Sequence, residues 1–261
     1  ALLADRAGKV GSGVITFGLQ GVAGTPMVLG DATRDHGWGT TTQIESPWGS
    51  GTLVVALPGH FNALNALAAV AASCSVGVPF AQALEGIATV ARVPGRMERV
   101  DRGQPFEVVV DFAHTPDSLE QALRTVRART KGRVIVVFGC AGERDRLKRP
   151  AMGTVAATLG DVVVLTDEDP RFEDRLAILR EIADGAVLAG SIEGSGHHIV
   201  PDRHEAIHFA IEIARPGDVV LLAGKGHETS IIGAVDGRQS AITWNEFEVA
   251  SSALAALGWT A

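Results

Sequence analysis

Apolar positions change period along this chain, and the changes divide it. Over the first ~60 residues the apolar stretches are short, β-branched and separated by Gly-rich breaks: Val14–Gln20, Pro26–Leu29, Thr41–Ser46 and Gly51–Leu57. That rhythm predicts antiparallel strands, with Trp48-Gly49-Ser50-Gly51 as a tight hairpin between the last two. From Asn62 to Ala72 the chain becomes Ala/Leu/Val-rich without a breaker, which predicts a buried helix. A second helix is predicted from Pro79 to Ala91, with Pro79 near its first turn. Val93-Pro94-Gly95 then punctuates the chain and marks a domain boundary, giving units 1–94 and 95–261.

Beyond Pro105 strands and helices alternate. Phe106–Val110, Arg133–Phe138, Asp161–Thr166, His198–Val200 and Asp218–Ala223 read as strands. The intervening segments Pro116–Arg129, Arg149–Leu159, Asp174–Ala186 and Arg203–Ala214 read as helices, and Trp244–Leu257 as a closing helix. Uninterrupted runs such as Val162–Leu165 and Val219–Leu222 fit strands covered on both faces. The alternation predicts a doubly wound, Rossmann-like α/β domain preceded by a β-rich and helical segment.

Composition narrows the function. Among 261 residues, 46% are hydrophobic and 20% charged, enough for a sizeable core, and the net charge is −7. That charge argues against a nucleic-acid-binding protein. No apolar run approaches the ~20 residues of a membrane span, and Ala1–Arg6 is no signal peptide, so a cytoplasmic protein without membrane insertion is expected. Cys74 and Cys140 make neither a disulfide framework nor a Cys-rich zinc site. Position 1 is not Met, so a fragment or a processed product is expected. Oligomeric state is not legible.

Ligands of an open α/β sheet bind beyond the carboxyl ends of its strands. Four predicted strand ends carry chemistry: Asp111-Phe-Ala-His114, Gly139-Cys-Ala-Gly142-Glu-Arg144, Thr166-Asp-Glu168-Asp169-Pro-Arg171 and Ala223-Gly224-Lys225-Gly226-His-Glu228. Each has a plain structural reading: Asp117 and Asp174 as helix caps, His114 as a satisfied histidine, Lys225 as a solvated loop lysine. Gathered at one sheet edge they make a site for a small charged molecule. Arg144 and Arg171 suit carboxylates, Glu168, Asp169 and Glu228 suit an ammonium, and Gly224 and Gly226 allow backbone approach. A zwitterionic amino acid satisfies both charge sets. Neither Gly-Lys pair opens a Gly-x-x-x-x-Gly-Lys-Ser/Thr loop, and no Gly-x-Gly-x-x-Gly follows the first strand of the α/β part. The second absence weakens an oxidoreductase reading.

Seven segments, in order, closely resemble the C-terminal half of the Mur ligases of the MurE type, the UDP-N-acetylmuramoyl-tripeptide synthetases. They are Leu57-Pro-Gly-His-Phe-Asn-Ala-Leu-Asn65, Pro94-Gly-Arg96-Met-Glu98, Val110-Asp111-Phe-Ala-His114-Thr-Pro-Asp117, Phe138-Gly-Cys-Ala-Gly-Glu-Arg144-Asp, Lys148-Arg-Pro150, Asp169-Pro-Arg171 and Gly224-Lys-Gly-His-Glu228. The resemblance implies that residues 1–94 are the tail of a central ATP-binding domain and 95–261 a complete amino-acid-binding domain. The UDP-binding domain, phosphate loop and carbamoylated lysine would lie upstream, so this chain alone should be inactive.

The implied reaction is ATP- and Mg2+-dependent addition of a diamino acid to UDP-MurNAc-L-Ala-D-Glu in peptidoglycan synthesis, both cofactors being held mainly by the upstream part. By resemblance Asn65 contacts adenine, Arg96 the ATP phosphates, and Asp111 and His114 the nucleotide side of the cleft, with Arg96, Asp111 and His114 catalytic. Arg144, Glu168, Asp169, Arg171, Gly224 and Glu228 line the amino-acid pocket. Family members using meso-diaminopimelate usually read Asp-Asn-Pro-Arg where this chain has Glu168-Asp169-Pro170-Arg171. The added carboxylate pulls toward lysine or ornithine and Arg171 toward diaminopimelate, which is slightly favoured. Thr243–Glu248 also lacks the Asp-rich turn expected before the last helix. The alternative is a stand-alone amino-acid-binding or regulatory module without ATPase activity.

Overall fold

The structure is a computed structural model that describes residues 14–21 and 26–260. The chain separates into two compact units, Ala1–Arg92 and Val93–Ala261.

The described part of the first unit is a four-stranded sheet in the order β1 (Phe17–Leu19), β2 (Val28–His36), β3 (Gly39–Ser46), β4 (Gly49–Val55). Helices α1 (His60–Ser75) and α2 (Phe80–Ala88) follow. Val28, Ile44, Leu53, Val55 and Leu57 share a core with Ala66, Leu67 and Val70 of α1. Two expectations change here. β1 and β2 pair in parallel, Phe17 opposite Val28, and not antiparallel as expected. The β3–β4 reversal is Pro47-Trp48, with Ser46 opposite Gly49, so Gly49–Gly51 already belong to β4. β2 also runs through the polar stretch Asp31–His36. Thr40 and Thr42, both fully buried on β3, make that affordable: Thr40 donates to Asp35 and the Leu57 carbonyl, Thr42 to the Asp31 carbonyl.

The second unit alternates as expected. Its elements are β5 (Glu98–Arg99), β6 (Glu107–Asp111), α3 (Pro116–Arg127), β7 (Val134–Phe138), α4 (Lys148–Leu159), β8 (Val162–Leu165), α5 (Arg175–Leu188), β9 (His197–Ile199), α6 (Arg203–Glu212), β10 (Val219–Ala223), β11 (Ser230–Val235), β12 (Arg238–Thr243) and α7 (Glu246–Ala256). The six-stranded sheet has the order β5-β6-β10-β7-β8-β9, parallel except for β5. This is the Rossmann-like doubly wound α/β class. Val108, Val110, Ile135, Val137, Val164, Val220 and Leu222 pack with Ala206, Ile207 and Ala210 of α6 and with Ala253 and Leu254 of α7. Their strand neighbours Val109, Val136, Val163 and Leu221 are equally buried and point to the opposite face, as the period of two demands. Thr115, Asp174, Asp202 and Asn245 cap α3, α5, α6 and α7, so the structural reading of Asp174 is the one realised.

Helices α4 and α5 meet backbone to backbone. A Cβ on Gly185 would lie 1.8 Å from the Pro150 carbonyl oxygen, and one on Gly153 1.9 Å from that of Ile182. The β11–β12 hairpin has no counterpart among the expected elements. It turns through Asp236-Gly237, both at positive φ (50° and 71°).

Strand β10 is last in sequence but central in the sheet. It lies between β6 and β7, whose loops turn toward α3 and α4, while its own continuation leads to the hairpin and α7. Such a reversal is where an open α/β sheet leaves a crevice.

Candidate functional site

Sheet order β6-β10-β7-β8 makes neighbours of all four loops singled out in the sequence, at the same carboxyl edge. Glycines weld them. Gly224 N–H donates to the Asp111 carbonyl (3.1 Å), and Gly142 N–H to that of Asp169 (2.8 Å). A Cβ on Gly139 would stand 2.0 Å from the Thr166 carbonyl oxygen, and one on Gly142 2.1 Å from that of Pro170.

At the β6 end, Asp111 is buried and spends both carboxylate oxygens on backbone. One accepts from Met97 N–H and the other from Ala113 N–H, each at 2.9 Å. Burial pushes its pKa up, against the pull of those two N–H groups and of Arg96. Asp111 therefore pins the Gly95–Met97 segment to the sheet. Gly95 is essential to that approach, because at φ 66° its Cβ position lies 2.3 Å from the His227 nitrogen. Arg96 is left with its guanidinium over the Phe112 ring, 4.8 Å from the centroid. It has no ion-pair partner among the described residues. His114 is half-buried, edge-on to Phe112, and its Nδ1 donates to the Phe112 carbonyl at 2.8 Å. Lys148 Nζ donates to the His114 carbonyl (2.7 Å).

At the β8 end the carboxylates separate into two kinds. Asp169 Oδ1 accepts from Lys225 Nζ and from Ile232 N–H, both at 2.9 Å. Glu228 forms an ion pair with the same ammonium at 2.8 Å. Glu168 differs: it is buried, and its Oε2 has no hydrogen-bond partner among the described residues. Burial pushes its pKa up, although Lys148, Arg203, Lys225 and His114 all draw it back. A Cβ on Gly224 would sit 3.9 Å from this carboxyl group, so glycine keeps the space in front of it open.

Arg171 adopts φ 55°, its N–H donating to the Ile232 carbonyl at 3.0 Å. Its Nε is buried without a partner, and its only ion pair among the described residues is a 4.0 Å contact with Asp169. The unexpected hairpin is thus the splint of this segment: Ile232 donates to Asp169 and accepts from Arg171.

Arg144 is exposed and without an ion pair among the described residues. The loop it rides is anchored by Glu143 N–H to Glu173 (3.0 Å), and Glu173 is held by the fully buried Arg149 (2.6 Å). Asn65 lies exposed on α1, in the first unit.

Sequence reasoning missed the support beneath the site. Arg203 and Glu246 form a completely buried ion pair. Arg203 also donates to the carbonyls of Asp167 (3.0 Å) and Ala223 (2.8 Å), the residues just before Glu168 and Gly224. Trp244 Nε1 completes the carboxylate's shell at 2.6 Å. Nothing in the local sequence joins Arg203 to Glu246. Lys225, read as a solvated lysine, is 1% exposed. No group of three or more His, Cys, Asp or Glu suited to a metal occurs among the described residues, nor a helix long and apolar enough to cross a membrane.

A parallel sheet with its charged loops gathered at a switch point, and glycine-limited contacts between those loops, defines an open α/β domain with its crevice at the carboxyl edge. The Mur ligase, glutamate ligase domain family matches residues 95–226, and the chain belongs to the Mur ligase family. Within it, the likeness is to the MurE type. A UDP-N-acetylmuramyl-tripeptide synthetase of Roseiflexus sp. is 49% identical over 228 residues, covering 87% of this chain and 43% of that protein. A UDP-N-acetylmuramoyl-L-alanyl-D-glutamate–2,6-diaminopimelate ligase of Bacillus licheniformis is 44% identical over 83% of this chain and 42% of that protein. A solved structure of a ligase of that name is 31% identical with a TM-score of 0.59, over 98% of this chain and 51% of the other. The chain therefore spans about half the length of these relatives. A folylpolyglutamate synthase of Mycobacterium tuberculosis, 18% identical with a TM-score of 0.67, shares the fold over 85% of this chain and 49% of the other.

Proposed function

We propose that this chain is the C-terminal part of a cytoplasmic, ATP-dependent ligase of peptidoglycan synthesis. Residues 1–94 would be the tail of its ATP-binding domain and 95–261 its amino-acid-binding domain. The enzyme joins the amine of a diamino acid, meso-diaminopimelate in preference to L-lysine or L-ornithine, to the D-glutamyl carboxylate of UDP-MurNAc-L-Ala-D-Glu. ATP is a substrate that activates this carboxylate as an acyl phosphate; the amine attacks and phosphate leaves.

The observation that carries the reading is the pairing of two dissatisfied groups three residues apart. Glu168 Oε2 and Arg171 Nε are both buried without partners, one an anion and one a cation. Leaving such groups unmet costs about 1–3 kcal/mol each, so a ligand carrying an ammonium and a carboxylate is the natural complement. Gly224 keeps the approach open. In this reading Glu168 receives the ammonium, Arg171 and Arg144 receive carboxylate, and Asp169 and Glu228 line the pocket already paired with Lys225. Catalysis by these residues is positioning of the nucleophilic amine.

The triphosphate and Mg2+ fit this chain poorly by themselves, given the absent phosphate loop and the lack of a carboxylate cluster among the described residues. Residues outside it would hold them, with Arg96 offering a cation, Asp111 and His114 framing that side, and Asn65 at the adenine. The stand-alone module has no observation in its favour.

The test is a ligation assay on the complete protein with UDP-MurNAc-L-Ala-D-Glu, ATP, Mg2+ and each diamino acid. Formation of the meso-diaminopimelyl product supports the reading. Binding of a diamino acid without ligation points to the module instead.

A further inference from the structure

Five groups of the pocket carry formal charges that must be reconciled: Glu168, Asp169, Glu228, Arg171 and the exposed Arg144. Counted by sequence, three carboxylates outnumber two guanidiniums, and the surplus pulls toward a cationic side chain. Lys225 changes the count. Its ammonium is 1% exposed and lies 2.9 Å from Asp169 and 2.8 Å from Glu228, so it occupies the place an external ammonium would otherwise take. Asp169 is held further by Ile232 N–H at 2.9 Å. With those charges met internally, the groups left with buried, unpartnered atoms are one carboxylate, Glu168, and one guanidinium, Arg171.

We propose that Lys225 is a positioning and specificity-determining residue: by neutralising Asp169 and Glu228 it leaves a pocket matched to a zwitterionic distal end and biased against one that ends in an ammonium alone. The assignment rests on the ligase reading above. Lys225 acts at a distance from the ligand. It holds Asp169, which otherwise would swing toward Arg171, now 4.0 Å away, and close the guanidinium to a carboxylate guest. The segments bearing these groups pass through positive φ. Arg171 sits at φ 55°, and the loop bearing Lys225 has Gly224 and Gly226 at φ 105° and 51°. Removing the ammonium leaves two carboxylates near an unchanged Arg171, which then pairs internally.

The experiment measures kcat/KM of the complete ligase for meso-diaminopimelate and for L-lysine at saturating ATP. Lys225→Met is expected to raise KM for meso-diaminopimelate by about tenfold or more, and to shift the selectivity ratio toward L-lysine by a similar factor. KM for ATP should stay within about twofold. Asp169→Asn in the Lys225→Met background removes the stranded charge and should restore most of the ratio. Asp169→Asn alone should move the ratio the other way, because it leaves the lysine's charge partly unmet; this variant carries the test should Lys225→Met not fold. A ratio within about twofold of wild type in folded Lys225→Met or Asp169→Asn overturns the proposal. So does a Lys225→Met defect in kcat alone, or one that Asp169→Asn does not relieve. A wild-type protein that ligates no diamino acid would instead sink the ligase reading itself.

Discussion

Arg203→Met is the substitution with the largest effect that the structure foretells away from the ligand-facing residues. Arg203 and Glu246 are both wholly enclosed, and the guanidinium makes three contacts to the carboxylate at 2.5–3.1 Å. Removing one member of such a pair strands the other charge, which costs about 3–5 kcal/mol. The Asp167 and Ala223 carbonyls lose their donors as well, adding about 1 kcal/mol each where water does not replace them. For a unit of this size each kcal/mol shifts Tm by roughly 2–4 °C, so a fall of about 10 °C or more is expected. Urea unfolding followed by tryptophan fluorescence is well placed to see it, since Trp244 donates directly to Glu246. Arg203→Met/Glu246→Leu should be more stable than Arg203→Met, because the stranded charge has gone and apolar side chains fill the space. An Arg203→Met cost below about 1 kcal/mol would refute the reasoning, as would a second substitution that simply adds to the first.

Three further outcomes are expected. Arg171→Ala in the complete ligase should raise KM for meso-diaminopimelate by about 30-fold or more, the worth of a lost charge-assisted pair, with KM for ATP nearly unchanged; parallel loss of both would remove Arg171 from the pocket. Hydrogen bonding to the Arg149 guanidinium holds the Glu173 carboxyl down to about 2, so its contribution to stability is complete above the ordinary glutamate range and drains away as pH falls toward 2. Glu173→Gln should flatten that part of the acid unfolding curve read by circular dichroism, and superimposable curves would show that the Arg149–Glu173 pair adds nothing. Gly185→Ala should destabilise by about 1–3 kcal/mol or more, since the new methyl meets the Pro150 carbonyl across the α4–α5 contact; an unchanged Tm would mean that the helices separate freely.

What could be read in advance follows how locally each feature is encoded. The buried strands β6, β7, β8 and β10 announce themselves as unbroken Val/Leu/Ile runs, and the cap at Asp174 is a one-residue signal. The strand β2 was read short because Asp31–His36 looks like a loop; its polar groups are met by Thr40 and Thr42 on the next strand, a cross-strand fact. The β11–β12 hairpin does carry an Asp-Gly turn signal at Asp236-Gly237, but β12 is mostly exposed and its residues lack the apolar alternation that marks a half-buried strand. The site shows the same division. That Glu168, Arg171 and Gly224 follow strands is legible, and the parallel fold then gathers them. Which of them are free is not legible, because that depends on pairing across the sheet: Lys225 after β10 reaches Asp169 after β8, past β7, and Arg203 at the start of α6 finds Glu246 at the start of α7. Along the sequence the added carboxylate of Asp169 and the guanidinium of Arg171 pull in opposite directions, whereas after internal pairing the groups left unmet favour a zwitterion. For the proposed amino-acid pocket the count after pairing is the relevant one, since a carboxylate already neutralised at 2.9 Å offers little further attraction to an incoming cation.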